Sequence, residues 1–334
     1  MIRKTKVIAT LGPASKRTSM IKRLVDEGVA IFRLNLAHGN RKSHEEMVNL
    51  IKRLDLPVKL MADIPGPKIR IGQLPATGID LITGSEVYME FGKNAYEDNV
   101  IPIPYSSKIS AKVGDEIFLD DGAIALEAKK IAKDKILCEV LHGGLLLSRK
   151  GVNISSFTPE MPFSIMDKGK IIFAKELGVD FIALSFVNDA SNVEYVRSIV
   201  KAPKIKLISK IETVNSLKNI DKIIEVSDGI MIARGDLGLQ VPIEELPLHQ
   251  KNIIKKCHKA NKPVIVATHI LLSMVRSPFP SRAEVLDIAN SVFDGVDAIM
   301  LSNETAAGAY PIEAVRMAVK VIEATEKSGY RNQI

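Results

Sequence analysis

The stretch Ile205–Gly235, IKLISKIETVNSLKNIDKIIEVSDGIMIARG, places two aliphatic runs on either side of a segment with helical period. The runs are IKLISKIE (205–212) and GIMIARG (229–235), and both have the short length and β-branched content of buried strands. Strands that alternate with helices indicate a parallel sheet. The stretch therefore predicts an α/β fold built from strand–helix–strand units.

The same unit recurs along the chain. Together with the two runs above, six further strand-like runs give eight units, which is the number found in a (β/α)8 TIM barrel. A doubly wound sheet is the competing architecture, but the chain has neither its G-x-G-x-x-G turn nor a G-x-x-x-x-G-K-[ST] loop. We therefore predict the barrel. Its six further strands lie at Thr5–Leu11, Val29–Asn35, Val58–Ile64, Asp180–Phe186, Pro263–Thr268 and Asp297–Asn303.

Signals at helix ends support the helical segments. Gly28 is placed to end the first helix. Ser281 and Glu284 form the pattern of a capping box, and an apolar stripe at helical spacing follows from Val285 to Val292. A helix is therefore expected directly after Ser281.

The alternation of strands and helices stops between about Ile71 and Arg149. Gly, Pro and Thr separate short runs such as SEVYMEF and KILCEVL there, without a convincing helix. We predict a small all-β barrel domain at residues 70–150, inserted after the third strand between two parts of the TIM barrel, 1–69 and 151–334. Such an insert leaves from the carboxyl end of the barrel, where enzymes of this fold have their active sites, so we expect a lid rather than a passive addition.

Composition limits the class of protein. Charged residues interrupt every apolar run before it reaches the length of a membrane span. Cys138 and Cys257 are far apart in the chain, which favours a cytoplasmic location and makes zinc an unlikely metal. The net charge of +7 allows nucleic acid as a partner, but the cations are scattered among acids and the chain has no Trp to stack on bases. We therefore expect anionic metabolites as ligands.

Polar residues follow the strand-like runs in unit after unit. The carboxyl ends of barrel strands meet at one mouth, so these side chains are expected to converge. Glu212 and Asp236 are carboxylates without a His or Cys close in sequence, a set that suits Mg²⁺ or Mn²⁺. Arg33 and Lys210 are cations suited to a phosphate or a carboxylate. The whole set is Arg33, Asn35, Asp63, Lys210, Glu212, Arg234, Asp236, Thr268 and Glu304.

Lys210 and Glu212 are the most unusual members of this set. They are two residues apart at the end of a strand-like run, so both side chains point to one face, which ought to be core. A structural ion pair is the alternative interpretation for these two residues taken alone. The set as a whole predicts an enzyme that handles a small anion on a divalent metal, and it leaves open phosphoryl transfer or carbon–carbon bond chemistry.

Nine segments of the chain resemble, in order, the signatures of the pyruvate kinase family. The resemblance covers nearly the whole chain and is weak only in the middle of the insert. It implies a phosphotransferase that moves the phosphoryl group of phosphoenolpyruvate to ADP and gives pyruvate and ATP. The segments are TKVIATLGPAS, RLNLAHGN, DIPGPKIR, RKGVNI, ISKIE, IARGDLGLQVP, KPVIVAT, SRAEVLDIAN and MLSNETAAGAYP.

The resemblance also implies roles for the metal and phosphate ligands. Glu212 and Asp236 would bind Mg²⁺ or Mn²⁺. Lys210 would lie on the phosphoryl group in transfer, and Arg33 would contact the substrate phosphate. The phosphates of ADP would be met by Asn35, His38, Arg70 and Lys150, the last two at the junctions of the insert.

Three residues are implied in binding the substrate carboxylate and moving a proton. The backbone N–H groups of Gly235 and Asp236 would receive the carboxylate, and Thr268 would lie beside it. Thr268, or a water that it orders, would pass the proton that converts the enolate into pyruvate.

The chain departs from the family pattern at a monovalent-cation site. Many members bind K⁺ through residues whose counterparts are Asn35, position 37 and Asp63. Position 37 is Ala here, which removes a hydroxyl ligand, and Lys68 stands where many members have Glu. An ammonium can substitute for a bound ion of the same charge, so we expect activity without K⁺. Further departures, which affect the local shape of the site, are Pro65, His269 and Asn303.

The sequence stops four residues after PIEAVRMAVKVIEATEKSGY, its last predicted helix, where most members continue into a C-terminal effector domain. We therefore expect no response to effectors of that domain, and we expect any homo-oligomer to form through barrel helices. Two other functions stay open: a Mg²⁺-dependent lyase of the phosphoenolpyruvate/pyruvate barrel group, and a non-catalytic paralogue that binds or regulates. The lyase would not need Lys210, Arg70 or the insert, whereas a paralogue would not need the intact set of chemical residues found here.

Overall fold

The computed structural model describes residues 3–66, 68–97, 99–105, 111–154 and 165–330. Its internal contacts divide the chain into two compact units. The first, called the barrel unit, comprises Met1–Gly66, Pro162–Gly235 and Pro247–Ile334. The second, called the insert unit, comprises Pro67–Met161 and Asp236–Leu246.

Strands and helices are numbered in chain order within these described ranges. The strands are β1 (Lys6–Thr10), β2 (Val29–Asn35), β3 (Lys59–Ile64), β4 (Ile79–Leu81), β5 (Glu86–Phe91), β6 (Val100–Ile103), β7 (Glu116–Leu119), β8 (Ile124–Ala132), β9 (Lys135–His142), β10 (Gly144–Leu146), β11 (Val152–Ile154), β12 (Phe181–Leu184), β13 (Lys206–Ile211), β14 (Gly229–Ala233), β15 (Val264–Ala267) and β16 (Ala298–Leu301). The helices are α1 (Thr18–Asp26), α2 (Arg41–Arg53), α3 (Ile165–Glu176), α4 (Ala190–Val200), α5 (Val214–Lys218), α6 (Ile220–Val226), α7 (Arg234–Leu237), α8 (Leu246–Lys259), α9 (Arg282–Phe293), α10 (Asn303–Ala306) and α11 (Pro311–Lys327).

The barrel unit contains a closed parallel sheet of eight strands in the order β1-β16-β15-β14-β13-β12-β3-β2. Strand β1 pairs with both β16 and β2, which closes the ring. All eight strands predicted from the sequence are present. Strand β2 has the predicted bounds, whereas β12 to β16 end one or two residues earlier than predicted. The predicted (β/α)8 TIM barrel is confirmed.

The inner face of the barrel changes from apolar to polar along the strands. Nearer the amino ends, Ile8, Met61 and Ile208 belong to one buried apolar cluster. Because strand side chains alternate, the residues two positions later point to the same face. A cation can therefore follow a core residue on one strand, as Lys210 follows Ile208. Polar residues two positions beyond members of the apolar cluster, or beyond Ile31, which packs against it, include Thr10, Arg33, Asp63, Ser185 and Lys210.

Two helices of the barrel unit, α1 and α9, have the predicted signals at their ends. The N–H of Glu284 donates to Ser281 Oγ at 3.3 Å, and the N–H of Ser281 donates to Glu284 Oε2 at 2.8 Å, which confirms the capping box before α9. Gly28 has a φ of +105°, the left-handed conformation that ends the turn after α1. No helix within the described ranges is both long and apolar enough to cross a lipid bilayer.

Between β3 and α3, the described residues of the insert unit form strands and one 3-10 turn, Asp120–Gly122, in agreement with the predicted all-β insert. Six strands form a sheet in the order β11-β7-β8-β9-β5-β6, and β4 pairs with β10 in a second, two-stranded sheet. The unit has its own apolar core, in which Met89, Ile101 and Leu126 are fully buried. The segment Asp236–Leu246, which follows β14 in sequence, also belongs to this unit.

Candidate active site

Four charged side chains meet at the carboxyl ends of β2, β3 and β13. Arg33 Nε donates to Asp63 Oδ2 at 2.7 Å. Lys210 Nζ lies 3.4 Å from Asp63 Oδ1 and 2.9 Å from Glu212 Oε1. All four are buried, and Asp63 and Glu212 are only 2% and 1% exposed. Burial of four charges is feasible because each has an opposite charge in contact, and their sum is zero.

Two further residues of this cluster were not identified from the sequence. Ser185 Oγ accepts a hydrogen bond from Lys210 Nζ at 2.7 Å and donates to Asp63 Oδ1 at 3.3 Å. The N–H of Phe186 donates to Glu212 Oε2 at 2.7 Å, and Phe186 has a φ of +55°. The sequence signal was a lone Ser in the apolar run DFIALSF (180–186), placed inside the predicted strand.

The charges of the cluster stabilise one another. Burial alone would raise the pKa of Asp63, but the nearby Arg33 and Lys210 outweigh it and hold that pKa below its ordinary value. Burial would lower the pKa of Lys210, whereas Asp63 and Glu212 raise it above its ordinary value. Lys210 is therefore a permanent ammonium in a fixed position.

Thr268 and Gly235 lie side by side after the neighbouring strands β15 and β14. The N–H of Gly235 donates to Thr268 Oγ1 at 2.6 Å, and the Thr268 hydroxyl donates to the Ala267 carbonyl at 2.6 Å. Two of the three residues predicted to surround the substrate carboxylate are thus in direct contact within the barrel unit.

A cavity of about 650 Å³ opens at the same end of the barrel. Asn35 and His38, two of the residues predicted to meet ADP, line this cavity together with Arg33. Small-molecule sites typically have volumes of about 300–1,000 Å³, so this cavity can hold a nucleotide or part of one. Its other lining residues include Pro13, Lys16, Ser43, His44, Met47 and Asn303.

Lys68 forms two ion pairs within the insert unit. Its Nζ lies 2.7 Å from Asp236 Oδ1 and 2.9 Å from Asp121 Oδ1. Burial would lower the pKa of Lys68, but these two carboxylates raise it above its ordinary value. The ammonium that the resemblance implies in place of K⁺ therefore contacts Asp236, a carboxylate that the same resemblance assigns to the divalent metal.

The two insert residues predicted to meet ADP have partners in their own unit. Arg70 Nη1 donates to the Arg149 carbonyl at 3.0 Å, and Lys150 Nζ lies 2.8 Å from Asp120 Oδ1. Arg70 is exposed and Lys150 is half-buried. Both cations are accessible at the surface of the insert unit, and their role toward nucleotide stays a prediction.

The described residues contain no group of three or more His, Cys, Asp or Glu side chains arranged to hold a metal ion. Mg²⁺ usually binds one or two carboxylates and completes its shell with substrate phosphate and water. Glu212 and Asp236 offer only carboxylate oxygens, which matches this coordination. Their role as metal ligands stays a prediction.

Comparison with known proteins assigns the family. Residues 2–315 match the model of the pyruvate kinase barrel domain. This chain belongs to the pyruvate kinase family. It is 44% identical to a pyruvate kinase from Agrobacterium vitis over 97% of this chain and 69% of that relative. Its identity to the enzyme from Thermococcus litoralis is 40%, over 99% of this chain and 71% of the relative.

The chain matches a smaller share of a third, longer relative. The chain is 41% identical to a pyruvate kinase from Bacillus licheniformis, over 98% of this chain but 58% of that relative. The resemblance inferred from the nine motifs is confirmed, and with it the class of enzyme, because pyruvate kinases are phosphotransferases. The roles of single residues stay predictions.

Proposed function

We propose that the chain transfers the phosphoryl group of phosphoenolpyruvate to ADP, giving pyruvate and ATP, with Lys210 as the cation on the group in transfer. The observation that carries this proposal is the buried cluster of Lys210, Arg33, Asp63 and Glu212. An ammonium fixed between carboxylates and a hydroxyl needs no reorganisation when negative charge shifts among the equatorial phosphoryl oxygens.

Arg33 is the second cation proposed for the substrate phosphate. Its side chain is oriented by Asp63 and by Thr10, whose hydroxyl accepts from Nη1 at 3.1 Å. A guanidinium has five N–H donors, so these two contacts leave donors for phosphate oxygens. Because Arg33 also lines the cavity, those donors are within reach of a ligand there.

Glu212 and Asp236 are the proposed ligands of Mg²⁺ or Mn²⁺. Both offer carboxylate oxygens, the donors that these hard cations prefer. The N–H of Phe186 fixes Glu212, and Lys68 fixes Asp236. The bound ion would supply positive charge to the phosphate oxygens, which the neutral sum of the buried cluster does not provide.

Thr268 is proposed to serve the proton step. Loss of the phosphoryl group leaves an enolate, which becomes pyruvate when its methylene carbon takes a proton. The N–H of Gly235 donates to Thr268 Oγ1 and polarises the hydroxyl, so that the hydroxyl or a water bound to it can deliver that proton. The N–H groups of Gly235 and Asp236 are proposed to receive the substrate carboxylate.

The nucleotide is proposed to occupy the cavity lined by Asn35 and His38. Support comes from the size of the cavity and from Arg33, which lines it and also belongs to the buried charge cluster. Arg70 and Lys150 are proposed to meet the phosphates of ADP from the insert. A cytoplasmic location and a homo-oligomer through barrel helices are also proposed.

Activity without K⁺ is proposed because Lys68 is a permanent ammonium held by two carboxylates. We expect turnover in a buffer whose only monovalent cation is tetramethylammonium to be close to turnover with added K⁺. Near-zero turnover that K⁺ restores would contradict this proposal.

The proposed reaction is tested by a coupled assay of pyruvate formation with phosphoenolpyruvate, ADP and Mg²⁺. We expect Lys210→Met to lower kcat by about 10²–10³-fold, the typical effect of removing one preorganised group that stabilises transition-state charge. Lys206→Met is the matched control, because Lys206 lies on the same strand but is exposed at its other end. We expect the control to keep wild-type turnover.

The outcomes separate the candidate functions. Circular dichroism of Lys210→Met checks that the barrel persists, and Lys210→Arg provides a second variant that keeps the charge. Unchanged turnover in a folded Lys210→Met would reject the role of Lys210. A lyase would consume phosphoenolpyruvate without forming ATP, and a non-catalytic paralogue would show no turnover at all.

A further inference from the structure

The loop after β15 contains two consecutive residues in the left-handed backbone region. Thr268 has a φ of +68° and His269 a φ of +53°. Residues other than Gly rarely adopt this region, and a β-branched residue such as Thr is a clear outlier there. Such conformations persist only when surrounding contacts enforce them, and they concentrate at functional sites.

Arg234 supplies the contacts that hold this loop. Its Nη2 donates to the carbonyl of Thr268 at 2.8 Å and to that of His269 at 3.3 Å. Its Nη1 donates to Asp287 Oδ1 at 2.7 Å, and the Arg234 side chain is 11% exposed. One guanidinium therefore ties both left-handed residues to helix α9.

The same segment also holds the hydroxyl of Thr268. Gly235, the residue after Arg234, donates its N–H to Thr268 Oγ1 at 2.6 Å. Arg234 fixes the carbonyl of Thr268 and Gly235 fixes its side chain, so a shift of either moves the hydroxyl. Beyond the loop, the N–H of Leu271 donates to the buried Glu304 Oε1 at 3.1 Å, which anchors its far end.

We propose that Arg234, backed by Asp287, is a positioning residue that holds the Thr268 hydroxyl where the enolate is protonated. This inference rests on the proposed function of Thr268. In this role Arg234 acts through the two loop carbonyls and Asp287, which its guanidinium contacts, and not through contact with substrate. The alternative is an ion pair that only stabilises the barrel.

The experiment measures the proton step by itself. In D₂O with Mg²⁺ and ATP, a C–H bond of the pyruvate methyl group breaks and a C–D bond forms, and proton NMR follows the loss of the methyl signal. We expect Arg234→Met to slow this exchange by about 10²-fold, because a displacement of about 1 Å can cost that much. Asp287→Ala should act in the same direction, and Asp287→Asn, which keeps an acceptor oxygen, should stay near wild type.

A double variant distinguishes positioning from general stability. If Arg234 acts through the hydroxyl, Arg234→Met combined with Thr268→Val exchanges no more slowly than Thr268→Val alone. Losses that multiply would overturn the inference. Arg197→Met is the matched control, because Arg197 also joins a carbonyl, that of Val226, to a carboxylate, that of Asp228, at 2.9 and 3.1 Å. This control should keep the wild-type rate.

Failure of the inference and failure of the proposed function give different results. A wild-type enzyme that forms no pyruvate would overturn both. An active wild-type enzyme whose Arg234→Met variant is folded and exchanges at the wild-type rate would overturn only the role of Arg234.

Discussion

Asp63 holds both cations of the candidate site with one carboxylate. Arg33 binds its Oδ2, whereas Lys210 and Ser185 lie at its Oδ1. Asp63 is only 2% exposed, so water cannot take its place as the partner of the two cations. Asp63 is therefore the carboxylate that both buried cations share, and Glu212 is a second partner for Lys210 alone.

We expect Asp63→Asn to lower the free energy of unfolding of the barrel unit by about 3–5 kcal/mol, because removing one partner of a buried ion pair leaves uncompensated charge. Urea denaturation at pH 7 measures the loss. Asp221→Asn is the control, since Asp221 pairs with Lys256 at 2.6 Å but is 73% exposed. A loss of at most about 1 kcal/mol is expected there, and equal losses in the two variants would count against this account.

At the scale of single residues, the sequence predicted which side chains share a face, because strand alternation controls the direction of each side chain. Lys210 and Glu212 are two apart, and the structure places both in the buried charge cluster. Ser185 and Phe186 were missed because the strand was expected to continue to Phe186. The strand in fact ends at Leu184, and the left-handed backbone at Phe186 turns its N–H toward Glu212.

Helix α9 is tied to the loop after β15 by Glu284, a residue of its capping box. Glu284 Oε1 accepts from the N–H of Ser273 at 2.7 Å, and Oε2 accepts from the Ser273 hydroxyl at 2.5 Å. Burial would raise the pKa of Glu284, but the donors of Ser273 and Ser281 outweigh it, so this pKa lies below its ordinary value. The carboxylate therefore stabilises the helix and the loop together.

We expect Glu284→Gln to lower the free energy of unfolding at pH 7 by about 1–2 kcal/mol. A carboxyl with a lowered pKa contributes stability above its unfolded pKa, and this contribution is lost as the pH falls through the folded pKa. The difference from wild type should therefore shrink below about pH 4. Thermal unfolding at pH 7 and pH 3 measures it, with the exposed Glu323→Gln in α11 as control. A difference that is the same at both pH values would contradict the assignment.

At the scale of elements, the sequence predicted every barrel strand and the start of α9, because local patterns specify them. Strands β14 and β16 end two residues early because helices α7 and α10 begin at Arg234 and Asn303, and β12 ends two residues early because Phe186 has a left-handed backbone. Pairings in the insert, such as β5 with both β9 and β6, are nonlocal. They depend on packing that no local pattern encodes.

The two units have separate cores, and each contains one buried cysteine. Cys138 lies in the core of the insert unit and Cys257 in the barrel unit, and both are fully buried. Burial raises the pKa of each thiol to about 12. A raised thiol pKa favours the protonated form, so its contribution to stability is present below the unfolded pKa of about 9 and is lost as the pH rises.

We expect neither thiol to react with Ellman's reagent in the folded protein at pH 8, and both to react in denaturant. Cys138→Ala leaves the barrel thiol as the single reporter, and Cys257→Ala leaves that of the insert. The two variants therefore report the opening of each unit separately. Immediate reaction of either thiol in native buffer would show that its unit is open at that position.

At the scale of the molecule, the barrel and the place of the insert were predictable, but one segment was not. Asp236–Leu246 follows β14 in sequence and yet packs with the insert unit, where the Gln240 amide donates to the Ile154 carbonyl. No local sequence pattern predicts that this segment packs with the insert unit. That hydrogen bond joins residues more than eighty positions apart, and only tertiary packing specifies it.

The chain enters and leaves the β insert through two segments that bond to each other. The N–H of Ile71 donates to the Lys150 carbonyl and the N–H of Val152 to the Ile69 carbonyl, both at 2.9 Å. Excision there would leave a gap of about 5 Å, the distance between paired strands, which a two-residue turn can span. The two ends of the module are therefore adjacent in space, so its length can change without separating the two segments that join it to the rest of the chain.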